Sequence, residues 1–230
     1  MHEYRSFVLP RGLIVSCQAY EGEPLFGAHL MAAMARAAAE GGAVGIRANS
    51  PADIAAIRQV VSLPFIGLYK IYTPPLPVYI TPTTEAAAAI AQAGANVIAI
   101  DATPRPRQGG VSLAELVGFI HHELGKPVMA DISCREDAEL AASLGVEILS
   151  TTLAGYTEHG RLPTTGPDLE LLAELVRHFT CPVVAEGRFR TPQQLRQAFE
   201  LGAQAVVIGA AITRPQDITR WFVEAIPSES

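Results

Sequence analysis

Short apolar runs alternate along the chain with longer segments of helical composition. Eight runs are almost continuously hydrophobic, which is typical of strands that are buried on both faces, as in parallel sheets. The predicted strands are Gly12–Ala19, Ala43–Asn49, Pro64–Lys70, Val97–Thr103, Pro127–Ser133, Glu147–Thr152, Pro182–Arg188 and Ala205–Ile212. The segments after them are rich in Ala, Leu, Glu and Gln. They predict helices over Leu25–Glu40, Pro51–Val60, Thr83–Ala93, Ser112–Leu124, Arg135–Ser143, Pro167–His178, Pro192–Leu201 and Pro215–Val223.

Proline and glycine mark the boundaries of these elements. Pro51, Pro192 and Pro215 stand where a first helical residue is expected, and Gly41 and Gly94 follow predicted helix ends. Eight strand–helix units predict a (β/α)8 TIM barrel, with residues 1–230 forming a single domain. An open doubly wound sheet is the alternative, because only the number of runs separates the two folds. No G-x-G-x-x-G dinucleotide fingerprint follows an early strand.

Composition narrows the class of protein. The chain has 230 residues, is 49% hydrophobic and carries a formal net charge of -6 without a block of five like charges, so we expect no nucleic-acid partner. No apolar stretch reaches the ~18 residues of a spanning helix, so we expect no membrane insertion. Three cysteines and a start unlike a signal peptide indicate a cytoplasmic protein in a reducing compartment.

Two ionisable residues end opposite strands of the predicted barrel. Lys70 ends the third run, and Glu186 follows the apolar body of the seventh. Strands four apart in an eight-stranded barrel face each other across its axis. A base and an acid on opposite faces of one carbon are what an epimerase requires. The pair therefore predicts an enzyme that inverts a stereocentre.

Both residues need a special environment for this chemistry. Lys70 can act as a base, or form a Schiff base with a carbonyl, only as the neutral amine, which apolar surroundings or a nearby cation such as Arg47 would favour. Glu186 can donate a proton if its site raises its pKa toward neutrality. The alternative is a structural Lys70–Glu186 salt bridge at the barrel mouth.

The last two predicted strands indicate an anion site. Gly187 and Gly209, followed by Ala210, come directly after strands seven and eight, where barrels often bind phosphate through backbone N–H groups. Arg214 adds a charged contact. The Pro-rich segment Ile71–Pro82 follows Lys70 and is expected to form a fairly rigid wall of the site.

Metal and cofactor chemistry find no support in the sequence. None of the six histidines ends a predicted strand, and neither an H-E-x-x-H motif nor a paired cysteine spacing occurs. We expect no metal and no cofactor.

Motifs in order along nearly the whole chain carry a resemblance to a known family. They are Gly12–Ala19, Gly45–Asn49, Ile66-Gly67 with Lys70, Tyr79–Thr83, Asp101–Thr103, Met129–Ser133, Thr151–Leu153 with Gly155–Thr157, Ala185–Arg188, and Gly209 with Ala211–Pro215. Taken together, they resemble the bacterial N-acylglucosamine-6-phosphate 2-epimerases, also called N-acetylmannosamine-6-phosphate 2-epimerases. The chain departs from that family after Lys70, where Ile71–Pro77 is uncharged.

The resemblance implies a cofactor-independent barrel that interconverts N-acetylmannosamine 6-phosphate and N-acetylglucosamine 6-phosphate in sialic acid breakdown. It implies Lys70 and Glu186 as the catalytic pair, in a one-base or a two-base scheme. Its implied substrate contacts are Gln18, Arg47 and Asp131, and its implied phosphate contacts are Arg214 and the backbones of Gly187 and Gly209. A homodimer is compatible with the resemblance and with the Ala-rich segment Leu25–Glu40. The alternatives are a Schiff-base aldolase that uses Lys70 and a non-catalytic sugar-phosphate sensor.

Overall fold

Eight parallel strands close into one barrel in sequential order. The computed structural model describes residues 7–160 and 165–227. The strands are β1 (Gly12–Cys17), β2 (Gly45–Asn49), β3 (Phe65–Leu68), β4 (Val97–Asp101), β5 (Val128–Asp131), β6 (Ile148–Ser150), β7 (Val183–Glu186) and β8 (Ala205–Ile208). Each strand pairs with its neighbours in sequence, and β8 pairs with β1 with Gly12 opposite Ala205. The barrel is confirmed, and the open-sheet alternative is wrong because the sheet has no edge.

Helices surround the barrel. They are α1 (Ala28–Glu40), α2 (Pro51–Arg58), α3 (Thr84–Ala93), α4 (Leu113–His122), α5 (Arg135–Ser143), α6 (Leu169–His178), α7 (Pro192–Glu200), α8 (Ala210–Thr213) and α9 (Pro215–Glu224). Within the described ranges, no helix is long and apolar enough to cross a membrane.

Local sequence explains where the helices begin and end. The hydroxyls of Ser112 and Thr191 each accept a hydrogen bond from the backbone N–H three residues later. The side chains of those later residues, Glu115 and Gln194, accept from the backbone N–H of Ser112 and Thr191 in turn, which completes two capping boxes. Gly94 ends α3 with a φ of 107°, a left-handed conformation that side chains other than glycine rarely adopt. These contacts satisfy backbone groups that a helix end leaves unpaired.

Alternating strand residues divide the core into an inner and an outer layer. Ile14 packs inside the barrel with Met129 and Val207, whereas Val15, the next residue of β1, packs against the outer helices with Met31. Full burial of each such side chain contributes ~1.5–3 kcal/mol. The packed interior leaves the carboxyl ends of the strands as the open face of the barrel.

Most predicted boundaries lie within two residues of the observed ones, and two are wrong by three or more. The eighth predicted strand ran to Ile212, but β8 ends at Ile208 and Gly209 precedes the short helix α8. The first helix was predicted from Leu25, but α1 begins after Gly27, whose φ of 135° is incompatible with a helix. An apolar run such as Ala210–Ile212 fits a strand or a helix equally well, so periodicity alone could not find the end of β8.

Candidate active site

Two adjoining cavities open at the carboxyl ends of the strands. The first, called here the β7–β8 cavity, has a volume of about 450 Å³ and follows the ends of β7 and β8. The second, called here the Arg47 cavity, has a volume of about 360 Å³. Both are lined by the same seven residues, namely Gln18, Tyr20, Lys70, Tyr156, Glu186, Gly187 and Arg214. The predicted catalytic pair therefore lies in one continuous site.

A single buried guanidinium joins two carboxylates at the floor of the site. Arg47 on β2 is 1% exposed and donates to both oxygens of Asp131 on β5, with Nη1–Oδ1 at 3.0 Å and Nη2–Oδ2 at 2.5 Å. Its Nη1 also lies 3.0 Å from Oε2 of Glu186. Burial lowers the pKa of Arg47, but the two carboxylates outweigh it and raise the pKa above the ordinary value. Arg47 therefore stays charged.

The hydroxyl of Thr152 connects the same two carboxylates. Thr152 Oγ1 lies 2.7 Å from Oδ1 of Asp131 and 3.1 Å from Oε2 of Glu186. Since this hydroxyl has one proton, it can donate to only one carboxylate at a time. Ser150 Oγ lies 2.8 Å from Thr152 Oγ1 and completes the network.

The surroundings of Glu186 favour its protonated form. Its side chain is 15% exposed. Burial raises the pKa of Glu186 to about 7, supported by the negative charge of Asp131, while Arg47 opposes the shift. At neutral pH the residue can therefore both hold and release a proton.

Lys70 has a different partner from the one expected in the salt-bridge alternative. Its Nζ donates to the hydroxyl of Tyr20 at 2.8 Å and lies 4.9 Å from the centre of the Tyr20 ring, while Glu186 pairs with Arg47. The backbone N–H of Lys70 donates to Asn49 Oδ1 at 2.8 Å, which fixes the residue just beyond β3. The amino group is thus directed by an aromatic hydroxyl rather than by a carboxylate.

Tyr20 lies between two cations. Arg214 Cζ is 5.5 Å from the centre of the Tyr20 ring, on which Lys70 also packs. Burial would raise the pKa of Tyr20, but the charge and hydrogen bond of Lys70, the hydrogen bond of Tyr72 and the charge of Arg214 lower it below the ordinary value. The two cations therefore make this hydroxyl easier to ionise than an ordinary tyrosine.

Gln18 brings an unused acceptor to the site. Its Nε2 donates to Ser16 Oγ at 2.8 Å, and its buried Oε1 has no hydrogen-bond partner among the described residues. An unsatisfied buried acceptor costs ~1–3 kcal/mol. A ligand donor in the cavity would remove this cost.

The residues of the predicted phosphate site come together. Gly187, Gly209, Ala210 and Arg214 all line the β7–β8 cavity. Arg214 forms an ion pair with Glu23. Its Nε also lies 3.4 Å from Oδ2 of Asp217, which is within ion-pair distance, but this nitrogen donates no hydrogen bond.

The charges that line the β7–β8 cavity are mostly positive. The cationic side chains are Lys70, Arg188, Arg190, Arg214 and Arg220, and the carboxylates are Glu186 and Asp217. Five cations against two carboxylates, in a chain of net charge -6, favour an anionic ligand.

The segment after Lys70 folds back beside the site. Lys70 and Ile80 form an antiparallel bridge, and Ile71 N–H donates to Tyr79 O at 2.9 Å. Tyr79 and Ile80 line the Arg47 cavity, and the rings of Tyr79 and Tyr72 stack with 4.8 Å between centroids. The segment thus forms one side of the Arg47 cavity.

Sequence reasoning missed three residues of the site. Thr152 stood at the end of a predicted strand, and Tyr79 stood in the Pro-rich segment, so both positions carried a signal. Tyr20 lies in the loop after β1, and its contact with Lys70 spans fifty positions of sequence. That contact could not be read from a strand end.

Within residues 7–160 and 165–227, no group of three or more His, Cys, Asp or Glu side chains could hold a metal ion. Arg47 lies between Asp131 and Glu186 and pairs with both.

Comparison with known proteins gives a consistent picture. The family model NanE, described as "Putative N-acetylmannosamine-6-phosphate epimerase", matches residues 31–228. A relative from Caldanaerobacter subterraneus is 50% identical over 223 residues, which cover 95% of this chain and 92% of the relative. A relative from Cutibacterium acnes is 46% identical over 217 residues, which cover 94% and 93%. Both bear the name "Putative N-acetylmannosamine-6-phosphate 2-epimerase".

Solved structures agree with the sequence relatives. The N-acetylmannosamine-6-phosphate 2-epimerase from Clostridium perfringens superposes with a TM-score of 0.90 at 43% identity, over 93% of each chain. A thiamine phosphate pyrophosphorylase from Pyrococcus furiosus, with a TM-score of 0.59 at 15% identity, shares the fold alone. The match to the family model and the identity to its named relatives extend over most of the sequence. The chain therefore belongs to the NanE family of N-acetylmannosamine-6-phosphate epimerases.

Proposed function

We propose that the protein is a cofactor-independent epimerase that inverts C2 of N-acetylmannosamine 6-phosphate to give N-acetylglucosamine 6-phosphate, in the breakdown of sialic acid and amino sugars. The observation that carries the proposal is that Lys70 and Glu186, at the ends of opposite strands, line the same two cavities. Membership of the family supplies the class of substrate.

The chemistry follows from the acidity of the C2 proton. In the open-chain sugar this proton is next to the C1 aldehyde, so its removal gives an enolate. The neutral amine of Lys70 takes the proton, and reprotonation from the opposite face inverts the centre. Glu186 donates that proton in a two-base scheme. In a one-base scheme the enolate turns, Lys70 returns the proton to its other face, and Glu186 assists at the sugar oxygens. The charge of Arg47 favours the negative charge that develops on the substrate.

Asp131 and Gln18 complete the proposed substrate contacts. Asp131 keeps Arg47 in place through the two-point ion pair. The unpartnered Oε1 of Gln18 can accept from a sugar hydroxyl or from the acetamido N–H. Neither contact requires a metal or a redox group.

The phosphate is proposed to bind in the β7–β8 cavity. The backbones of Gly187, Gly209 and Ala210 and the side chain of Arg214 line it, and its excess of cations favours a dianion. Because the phosphate is remote from C2, its binding energy would help to orient the reacting carbon.

Proton NMR in deuterated water tests the proposal. We expect N-acetylmannosamine 6-phosphate to be converted to N-acetylglucosamine 6-phosphate, with deuterium entering C2 and without added cofactor. Because no metal-ligand cluster lies among the described residues, turnover should persist in EDTA. Loss of turnover in EDTA that a divalent ion restores would refute the cofactor-free mechanism. A substrate adduct on Lys70 that borohydride traps would instead favour an aldolase, and binding without C2 exchange would favour a sensor.

We also propose that the protein is cytoplasmic. The three cysteines Cys17, Cys134 and Cys181 are all free, as is usual in a reducing compartment. Fractionation of cells that express the protein from its own gene checks this.

A homodimer is the last part of the proposal. The C-terminal helix α9 has no buried residue, and Phe222, Val223 and Ile226 at its end are 74%, 57% and 68% exposed. A second copy of the chain could cover these side chains. Light scattering should give twice the chain mass of 24.4 kDa, and a monomer at micromolar concentration would contradict the dimer.

A further inference from the structure

Three of the four arginines that line the β7–β8 cavity are already engaged by other groups of the protein. Arg188 donates to two backbone carbonyls, one from Nε and one from Nη1, each at 2.8 Å. Arg214 forms its ion pair with Glu23, and Nη1 of Arg220 lies 3.1 Å from Oδ1 of Asp217. Part of the hydrogen-bonding capacity of each of these guanidinium groups is therefore used by acceptors of the protein itself.

Arg190 is the fourth arginine of this cavity, and its guanidinium forms no hydrogen bond or ion pair with any residue that the structure describes. Its neighbour is the ring of Trp221, whose centre lies 4.5 Å from Cζ of Arg190. A guanidinium that stacks on a ring uses its face, so the N–H groups, which lie in its plane, stay available. Because both residues line the cavity, these donors are available to a ligand there.

The backbone on both sides of Arg190 is held in place. The backbone N–H groups of Arg190 and Thr191 donate to Oε1 of Gln194, at 2.8 Å and 3.2 Å, beside the capping box of α7. The preceding residue, Phe189, is 5% exposed and packs in the core. The Arg190 side chain thus extends from a fixed point just beyond β7 and rests against a ring of α9. A donor that is held in place before its ligand arrives loses less conformational entropy on binding.

The surroundings of Arg190 indicate the kind of group that it would bind. Gly187 and Gly209, whose backbones are the proposed phosphate contacts, line the same cavity. A planar guanidinium can donate two parallel N–H bonds to one phosphate, which adds geometric selectivity to the attraction of charge. A hydroxyl of an unphosphorylated sugar offers neither the charge nor the pair of acceptors.

We propose that Arg190, stacked on Trp221, binds the phosphate of the substrate and makes the site selective for phosphorylated sugars. The inference rests on the proposed function for the identity of the sugar that carries this phosphate. Arg214 adds its charge while it stays paired with Glu23, whereas Arg190 brings donors that no described residue uses. Loss of Arg190 therefore removes direct hydrogen bonds to the phosphate as well as one charge.

Titration with inorganic phosphate, in the absence of any sugar, tests this contact without relying on turnover. Calorimetry gives Kd for the unaltered protein and for Arg190→Gln. We expect Kd to rise at least about tenfold in the variant, which is the usual effect of losing a charge-assisted hydrogen bond. Trp221 is the only tryptophan of the chain, so its fluorescence should change in the same titration if phosphate binds beside the stacked pair.

Arg196→Gln is the matched control, because it removes the same charge from the same part of the chain. Arg196 is an exposed residue of α7 and lines neither cavity of the site. A general effect of charge would raise Kd equally in both variants, whereas a direct contact raises it only in Arg190→Gln. Equal values of Kd in the two variants, or no binding of phosphate by the unaltered protein, would overturn the inference.

Trp221→Leu tests the ring that supports the arginine. It keeps Arg190 but removes the stacking surface, so the calorimetric Kd should rise about threefold or more through the added cost of immobilising a free side chain. An unchanged Kd would overturn the role of the stack.

Steady-state kinetics connect the contact to the proposed reaction. Arg190→Gln should raise KM for N-acetylmannosamine 6-phosphate with little change in kcat, and it should leave kcat/KM for the free sugar unchanged. An equal fall for both sugars would overturn the selectivity assigned to Arg190. Phosphate binding that depends on Arg190, in a protein without epimerase turnover, would refute the proposed function and leave the phosphate contact standing.

Discussion

At the scale of single residues, the site depends on one guanidinium shared by two buried carboxylates. Arg47 contacts Asp131 twice and Glu186 once, and the three residues belong to three different strands, β2, β5 and β7. Removing one partner from such a cluster leaves a buried charge unpaired, which typically costs several kcal/mol. The positions of all three residues could be predicted from strand ends. Their pairing could not, because it depends on distances of a few ångströms across the barrel.

The raised pKa of Glu186 makes a prediction about stability. The folded-state pKa of about 7 exceeds the ordinary value of 4.5, so between these values the folded protein holds a proton that the unfolded chain has released. Raising the pH through this window therefore lowers the free energy of unfolding. Glu186→Gln lacks this titration. Urea unfolding from pH 5 to pH 8 should show that the variant becomes more stable relative to the unaltered protein as pH rises. A difference that stays constant or moves the other way would contradict the raised pKa.

Lys70 gives the residue-scale prediction on activity. Lys70→Ala should lower the turnover number by ~10²–10⁴-fold, the usual effect of losing a general base. The chain has one other lysine, Lys126, which precedes β5 at the opposite end of the barrel. Lys126→Ala is therefore a matched control and should keep near-normal turnover. Similar activity in both variants would remove Lys70 from the mechanism.

Glu186→Ala should also lose most of its turnover, and isotope exchange separates the two schemes. In a two-base scheme, a variant that lacks one partner still exchanges the C2 proton of a single epimer in deuterated water. In a one-base scheme, Lys70→Ala stops exchange from both epimers and Glu186→Ala slows both. NMR of each pure epimer with each variant distinguishes these outcomes.

At the scale of elements, a glycine in β3 determines how closely two helices pack behind Lys70. A Cβ at Gly67 would lie 2.4 Å from Ile90 Cγ2 in α3, 3.0 Å from Ile54 Cδ1 in α2 and 2.7 Å from Ala95 Cβ. Gly67→Ala should therefore destabilise the fold by ~1–3 kcal/mol, as overpacking usually does. Because β3 ends two residues before Lys70, the variant should also lose activity.

Gly118 in α4 provides the control for Gly67. A Cβ there meets no atom within 4 Å, and alanine has the higher helix propensity. Gly118→Ala should be neutral or stabilising by ~0.5–1 kcal/mol. Thermal unfolding of both variants measures the contrast, and equal destabilisation would contradict the packing described for β3.

The elements also show how far a pattern can be trusted. Strand bodies and helix caps were predictable because each depends on a few neighbouring residues, such as Thr191 with Gln194. The end of β8 was not, since Ala210–Ile212 carries no residue that excludes either a strand or a helix. The contact between Lys70 and Tyr20 was not predictable either, because it brings together two loops that are distant in sequence.

At the scale of the whole molecule, the charge at the site is opposite in sign to the net charge of the chain. The chain carries a net charge of -6, yet five cationic side chains and two carboxylates line the β7–β8 cavity. Concentrating cations at the open end of the barrel would attract a phosphorylated substrate while the rest of the surface repels anions. This distribution is a property of the fold, since those cations come from the segments that follow β3, β7 and β8.

The charge distribution predicts that the phosphate is the main recognition handle. The unphosphorylated sugar should be a far poorer substrate, and kcat/KM for the phosphorylated sugar should fall as ionic strength rises, because salt screens exposed charges. Arg214→Ala should mainly raise KM if its contact is equally strong in the ground state and the transition state. Arg36→Ala is the control, since Arg36 lies on the exposed surface of α1 in a pair with Glu40 and should leave KM unchanged. Steady-state kinetics with both sugars at several salt concentrations measures these effects. Equal kcat/KM for the phosphorylated and the free sugar would refute the phosphate site, because the five cations would then contribute nothing to substrate binding.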